Sequence, residues 1–219
     1  MKTILLLMFV LIALTSYDSF GQSGIKGVKV GLNFATVDGA TNYIDNRSIT
    51  TFDAGVFATF DVFALIALQP ELLYTMKGYK LTYNVPQDIG ILARSDHLVV
   101  TGNNSYLEIP VLLKLNIPSS SLGIIKPNVF AGPEIAFALI SKVKIEDTDP
   151  VYLQGNDDLT NTKTSDYGII FGAGADINLP TITFMFDVRY DIGMKTLNLP
   201  QGPSHIKNRI ITLNAGIGI

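Results

Sequence analysis

Two histidines, His97 and His205, are the only imidazoles in a 219-residue chain that contains no cysteine. Without thiolates there are no disulfides, no thiolate metal sites and no lipidated N-terminus. General acid–base catalysis needs a proton carrier within reach of a nucleophile. Neither histidine has one nearby in sequence, and both fall in expected long loops. Gly172-Ala173-Gly174 sits inside an alternating run rather than at a strand–helix turn, so it is no dinucleotide fingerprint. Glu146, Asp147, Asp149, Asp157 and Asp158 offer hard oxygen ligands suited to Ca²⁺, but the EF-hand spacing is absent and a solvated acidic loop accounts for them. The expectation is therefore no catalytic residue, no cofactor, no metal and no enzyme.

A different chemistry is spread along the chain at every second position. Lys29, Asp53, Asp61, Glu71, Lys77, Glu108, Lys114, Glu134, Asp187, Arg189 and Asp191 each interrupt an apolar run at period two. That spacing puts charges of both signs on one face of extended strands. Enclosed together, opposite charges offset one another's desolvation by pairing. Glu71, Lys77, Glu108, Lys114, Glu134, Asp187, Arg189 and Asp191 are the candidates for such a network, read as structural, with a narrow ion or proton path as the alternative.

The elements that must position these charges are strands. Eight are expected, over residues 26–34, 52–61, 66–80, 105–116, 126–142, 166–178, 181–194 and 207–219. Apolar and polar residues alternate through them without helical periodicity. Long polar connections are expected at 35–51, 81–104, 143–165 and 195–206, and short ones around 62–65, 117–125 and 178–181. Long loops on one side and tight turns on the other are the pattern of an outer-membrane barrel. Three prolines, Pro70, Pro110 and Pro133, fall inside strands, and bulges or kinks are expected near Pro110 and Pro133.

Composition agrees. Hydrophobic residues make up 47% and charged residues 16%, too apolar for disorder. The mean hydropathy is +0.33. No segment after the leader reaches the roughly 18 apolar residues of a membrane helix. Lys2, the apolar run 4–14 and the small residues before Gln22 read as a signal peptide over residues 1–21, leaving a barrel domain over 22–219. The net charge is −3 before and after removal of Lys2 and Asp18, with no basic patch for nucleic acid.

Packing decides which face is inside. An eight-stranded barrel has an interior only just wide enough for side chains to fill it. A face of Val, Leu, Ile and Phe would overcrowd it, whereas the opposite face carries Gly55, Gly168, Gly172, Gly174, Gly216 and Gly218. Apolar residues therefore point out, toward lipid. Phe34, Phe52, Tyr74, Phe137, Tyr167 and Tyr190 lie on that face near the long-loop ends and are expected to form an interfacial aromatic girdle.

Gly27 to Phe34, Leu68 to Tyr74 with Lys77-Gly78-Tyr79, Tyr106 to Pro110, and Phe130-Ala131-Gly132-Pro133 resemble the PorT-like outer-membrane β-barrel family of Bacteroidota. Tyr167-Gly168 leading into Gly172-Ala173-Gly174, Asp187-Val188-Arg189-Tyr190 with Gly193, and the closing Asn208-Arg209 strand extend the resemblance over nearly the whole mature chain. It implies an outer-membrane barrel of about eight strands, and the secretion role of one family member is not carried over. Outer-membrane barrels commonly end in an aromatic residue that assists assembly, whereas this chain ends in Ile219. The reading is an all-β, eight-stranded antiparallel up-and-down transmembrane barrel in the cell outer membrane. Its role is structural or interactive, with a small-solute pore and a soluble lipocalin-like binder as competing readings. Its expected partners are outer-membrane lipid, the barrel assembly machinery and an unidentified partner of the extracellular loops.

Overall fold

The computed structural model describes residues 24–38, 45–84, 97–118, 124–147, 165–195 and 207–219. They form strands β1 (Gly24–Asp38), β2 (Asp45–Arg47), β3 (Ile49–Phe63), β4 (Ile66–Asn84), β5 (His97–Asn116), β6 (Ile125–Asp147), β7 (Asp166–Asn178), β8 (Thr183–Gly193) and β9 (Lys207–Gly218). Every long strand pairs antiparallel with its neighbours in sequence, and β1 pairs with β9 to close the sheet. The result is an eight-stranded up-and-down barrel. The ninth strand, β2, is a three-residue piece set off from β3 by Ser48 and paired with β4 from Asp45↔Thr82 to Arg47↔Lys80.

Closure removes both sheet edges, so every long strand finds two partners in the wall. The seam runs from Gly27↔Gly218 to Asp38↔Lys207. Reciprocal backbone bonds between Lys26 and Ile219, at 3.0 and 2.9 Å, extend it to the last residue. Ile219 projects outward and exposed. At the same end, Leu179 donates to the Ile182 carbonyl at 2.8 Å, and the Thr183 hydroxyl bonds the Asn178 side chain at 3.0 Å, tying the β7–β8 turn.

Alternation decides the faces as expected. Lys29 is 3% exposed and its neighbour Val30 is 59% exposed. Val28, Leu32, Leu113, Ile135, Phe171, Val188 and Leu213 line the exposed outer wall. A soluble ligand-binding barrel would have the opposite parity, with charges out and aliphatics in.

Four expectations need correction. The strands run further than apolar alternation suggests: β4 and β5 stay paired out to Asn84↔His97, so His97 begins a strand rather than lying in a loop. Likewise Glu146 and Asp147 end β6. Backbone pairing needs no apolar side chain once a hairpin has left lipid. Second, the bulges lie at Asp61/Phe63 and Ser105/Tyr106, not at Pro110 or Pro133. Around Pro110 the β5–β6 ladder skips from Pro110↔Glu134 to Leu113↔Ala131 and resumes in the same register. Proline thus costs local pairs where its donor is missing, while intact pairs on both sides hold the alignment. Third, Asp61 is exposed at the short-turn end, where the first bulge breaks the inward alternation. Fourth, Tyr74 and Phe137 do not mark strand ends, because β4 and β6 continue beyond them to Asn84 and Asp147. Residues 1–21, His205, Asp149, Asp157 and Asp158 lie outside the described residues.

Candidate functional site

The interior charges stack in three tiers along the barrel axis. Nearest the short turns, Lys114 of β5 meets Asp176 of β7 at 2.7 and 2.9 Å, and Asn128 of β6 donates to the same carboxylate at 3.3 Å. One strand, β6, separates the partners, so the pair bridges the lumenal face of β6 beside Asn128.

The middle tier is a closed knot. Arg189 of β8 donates two bonds to Glu71 of β4, at 2.7 and 2.8 Å. It also donates two to Asp187, at 2.7 and 3.2 Å. Bidentate guanidinium–carboxylate pairs fix orientation as well as charge. Lys29 of β1 bridges the same two acids at 3.1 Å each. Gln69 donates to Glu71 at 2.6 Å and Asn214 to Asp187 at 2.8 Å. Two cations and two anions from three strands neutralise one another across the lumen.

The upper tier is unbalanced. Lys77 of β4 contacts Glu108 of β5, Glu134 of β6 at 3.1 Å and Asp191 of β8 at 3.0 Å. One ammonium thus faces three buried acids. Nearer the long loops, Asn208 donates to Asp166 at 3.0 Å and Ser141 to Asn104 at 2.6 Å.

All eight candidates for the network are therefore lumenal and each makes an ion pair. Asp176 and Gln69 also belong to these tiers, and strand parity with Gly172 and Gly174 in β7 and with Glu71 in β4 could have found them. The lumenal rings were missed as well. Lys29 lies 5.8 Å from the Phe57 ring centroid, Lys77 5.6 Å from Tyr106 and Arg189 5.3 Å from Phe130. Each ring offers its negative face to a cation withdrawn from water. The inward glycines make room for these rings as well as for polar side chains: a Cβ on Gly172 would lie 2.6 Å from the Phe130 ring and 2.3 Å from the Val188 carbonyl oxygen. Leu112 and Ile170 pack with Phe130 in the lumen, adding an apolar plug to the ionic one.

On the outer wall, Phe34, Phe52, Tyr74, Phe137 and Tyr167 are exposed, and Tyr190 is half-buried edge-on to Phe171 at 5.4 Å. Phe52 and Tyr74 are neighbours at 6.2 Å. Toward the short turns a second exposed set, Phe63, Phe184 and Phe186, occupies the same face.

A family model described as the outer membrane protein beta-barrel domain matches residues 20–197. The chain belongs to that family. Its place is the outer membrane, where the lipid-facing wall meets the bilayer directly. Among solved structures, the outer membrane protein OprG from Pseudomonas aeruginosa aligns with a TM-score of 0.47 at 12% identity, covering 89% of this chain and 93% of OprG. Neisserial surface protein A aligns at 0.45 and 14%, covering 91% of this chain and 99% of that one. Ail, the attachment invasion locus protein of Yersinia pestis, aligns at 0.43 and 12%, covering 90% and 99% respectively. No curated protein sequence matches. For this member of the family the barrel rests on its own strand ladder, which closes without reference to any neighbour.

Proposed function

We propose that the barrel is a structural or interaction element of the outer membrane, closed to solute and without catalytic activity. The observation that carries this is the middle tier. Lys29, Glu71 and Arg189 are each no more than 4% exposed, and they join β1, β4 and β8 across the lumen. A conducting path needs water-accessible charge, and these side chains spend their hydrogen bonds on each other. Leu112, Phe130 and Ile170 fill lumenal space at a neighbouring level.

The interior ion pairs act as ties between strands distant in sequence, and the two sets of outward aromatics act as girdles at the two bilayer interfaces. The lipid-facing wall passes through the barrel assembly machinery after removal of a leader ending near Gly21, and the long-loop side is offered to an extracellular partner. The ordered motifs from Gly27 to Arg209 favour a PorT-like branch of the family.

Planar-bilayer recording of the purified full chain tests the closed state. The expected result is no sustained conductance at low voltage. Regular single-channel steps under those conditions favour the pore reading and discard this one.

A further inference from the structure

A two-residue hairpin turn ordinarily carries Asn, Asp or Gly, whose backbones suit the turn and whose polarity suits water. The β3–β4 turn is built instead from Ala64 and Leu65, set between the paired Phe63 and Ile66. Phe63 is 69% exposed, and Val62 and Leu65 are exposed beside it. The other short turns repeat the pattern. Ile117 and Ile124 are exposed where β5 gives way to β6, and Leu179, at 46%, projects from the β7–β8 turn. Large apolar side chains left in water are costly in proportion to the area they expose.

The opposite end of the barrel is finished differently. On the outward face of β1, Phe34 is followed by Thr36 and Asp38. On the adjoining β9, Ile211 is preceded by Arg209, which pairs with Asp38 at 3.3 Å. There the wall turns polar before its strands end. At the short-turn end it stays apolar into the turns themselves. The exposed Asp61 and Lys126 are set instead at the lumen mouth, where with Asn116 they line a cleft of about 180 Å³.

We infer that the short-turn rim is a lipid-contact surface, with its turns seated in the headgroup layer of the bilayer rather than standing clear in water. The surface continues from the lipid-facing wall without a polar break, for Leu113, Leu115 and Ile117 are exposed in succession on the outward face of β5. The three turns are spaced two strands apart around the barrel. A bilayer surrounds a barrel in this way, whereas a protein partner covers a single patch. A second copy lying alongside in the membrane would meet the wall and not the turns. Lys26, on the same outward face as Val28, brings an ammonium to the level where lipid phosphates lie. Seating the turns in lipid rests on the membrane placement of the wall and not on a closed lumen. Conductance, which decides the latter, leaves it untouched. A protein partner of the barrel then approaches from the long-loop side.

The chain has no tryptophan, so one introduced indole reports alone. Phe63→Trp, Ile117→Trp and Leu179→Trp place it at each turn in succession. Leu113→Trp on the wall and Asn103→Trp beyond it are the references. Each full chain is refolded into phosphatidylcholine vesicles, and heat-modifiable mobility in SDS gels shows that the barrel has formed. Emission is then compared in lipids brominated near the headgroup or near the end of the acyl chain. The expected result is blue-shifted emission at all three turns, with a greater loss of intensity to shallow bromine than to deep bromine. Leu113→Trp should lose more to deep bromine, and Asn103→Trp should respond to neither. Red-shifted emission at the turns, as indifferent to bromine as Asn103→Trp, places them in water and overturns the inference. Quenching confined to one side of the rim marks a patch suited to a protein partner and overturns it equally. Three positions are read independently, so a variant that fails to fold leaves the other two to decide.

Discussion

Arg189 meets Glu71 through two parallel hydrogen bonds and Asp187 through two more, all between 2.7 and 3.2 Å. Lys29 then closes the ring by touching both acids. Such a knot costs desolvation energy to bury, so its net contribution to stability is modest. Removing one member is another matter, because it strands a buried charge. Arg189→Met is expected to destabilise the barrel by about 3–5 kcal/mol, measured as a lowered urea midpoint in detergent micelles. Glu71→Gln on top of Arg189→Met should recover part of that loss, since one of the stranded charges is then gone. A full additive loss in the double variant would show that the two residues do not act as a pair. Strand parity alone located these side chains on the inside. It could not say that Arg189 would choose Glu71, which lies 118 residues away in sequence.

The elements show where periodicity stops being informative. Within the bilayer the outer face must be apolar, so alternation reports the strand. Above it both faces meet water, and the alternation fades although the backbone stays paired. The β4–β5 hairpin therefore looks like loop from about Leu81 onward, yet Leu81 pairs with Val100 and Tyr83 with Leu98. Amide hydrogen exchange separates the two readings. Residues 97–101 should exchange markedly more slowly than an unstructured loop, and intrinsic coil rates there would remove the hairpin extension. The prolines carry a related lesson. Pro70, Pro110 and Pro133 each lack an amide donor, but register is held cooperatively by many flanking pairs, so the ladder opens locally rather than slipping.

For the whole molecule, the inside-out distribution of charge is what makes the chain a membrane protein. Its outer wall carries exposed aliphatic and aromatic residues, and its ionic groups are withdrawn behind it. A charge placed on that wall should therefore cost far more than one placed beyond it. Val30→Lys, midway along β1, is expected to lose roughly 2–4 kcal/mol of folding free energy in lipid vesicles. Asn103→Lys, exposed on β5 beyond the apolar wall, should change stability by less than about 1 kcal/mol, as near-interface charges do. Equal effects at the two positions, read from denaturant titration in the same vesicles, would contradict the placement of the apolar wall.

What the sequence by itself determined is the parity: eight alternating runs, charges at every second position, glycines on the charged face, and long and short connections in turn. Those features follow from local geometry, since a strand turns successive side chains to opposite faces whatever its neighbours. Only the tertiary structure decided which charges share a tier. That depends on the register of strands up to 158 residues apart, as for Lys29 and Asp187, and no local pattern encodes it. The same is true of Phe57, Tyr106 and Phe130 under their cations, and of the three acids gathered around Lys77. Barrel closure brings these groups together, and closure is a property of all eight long strands at once.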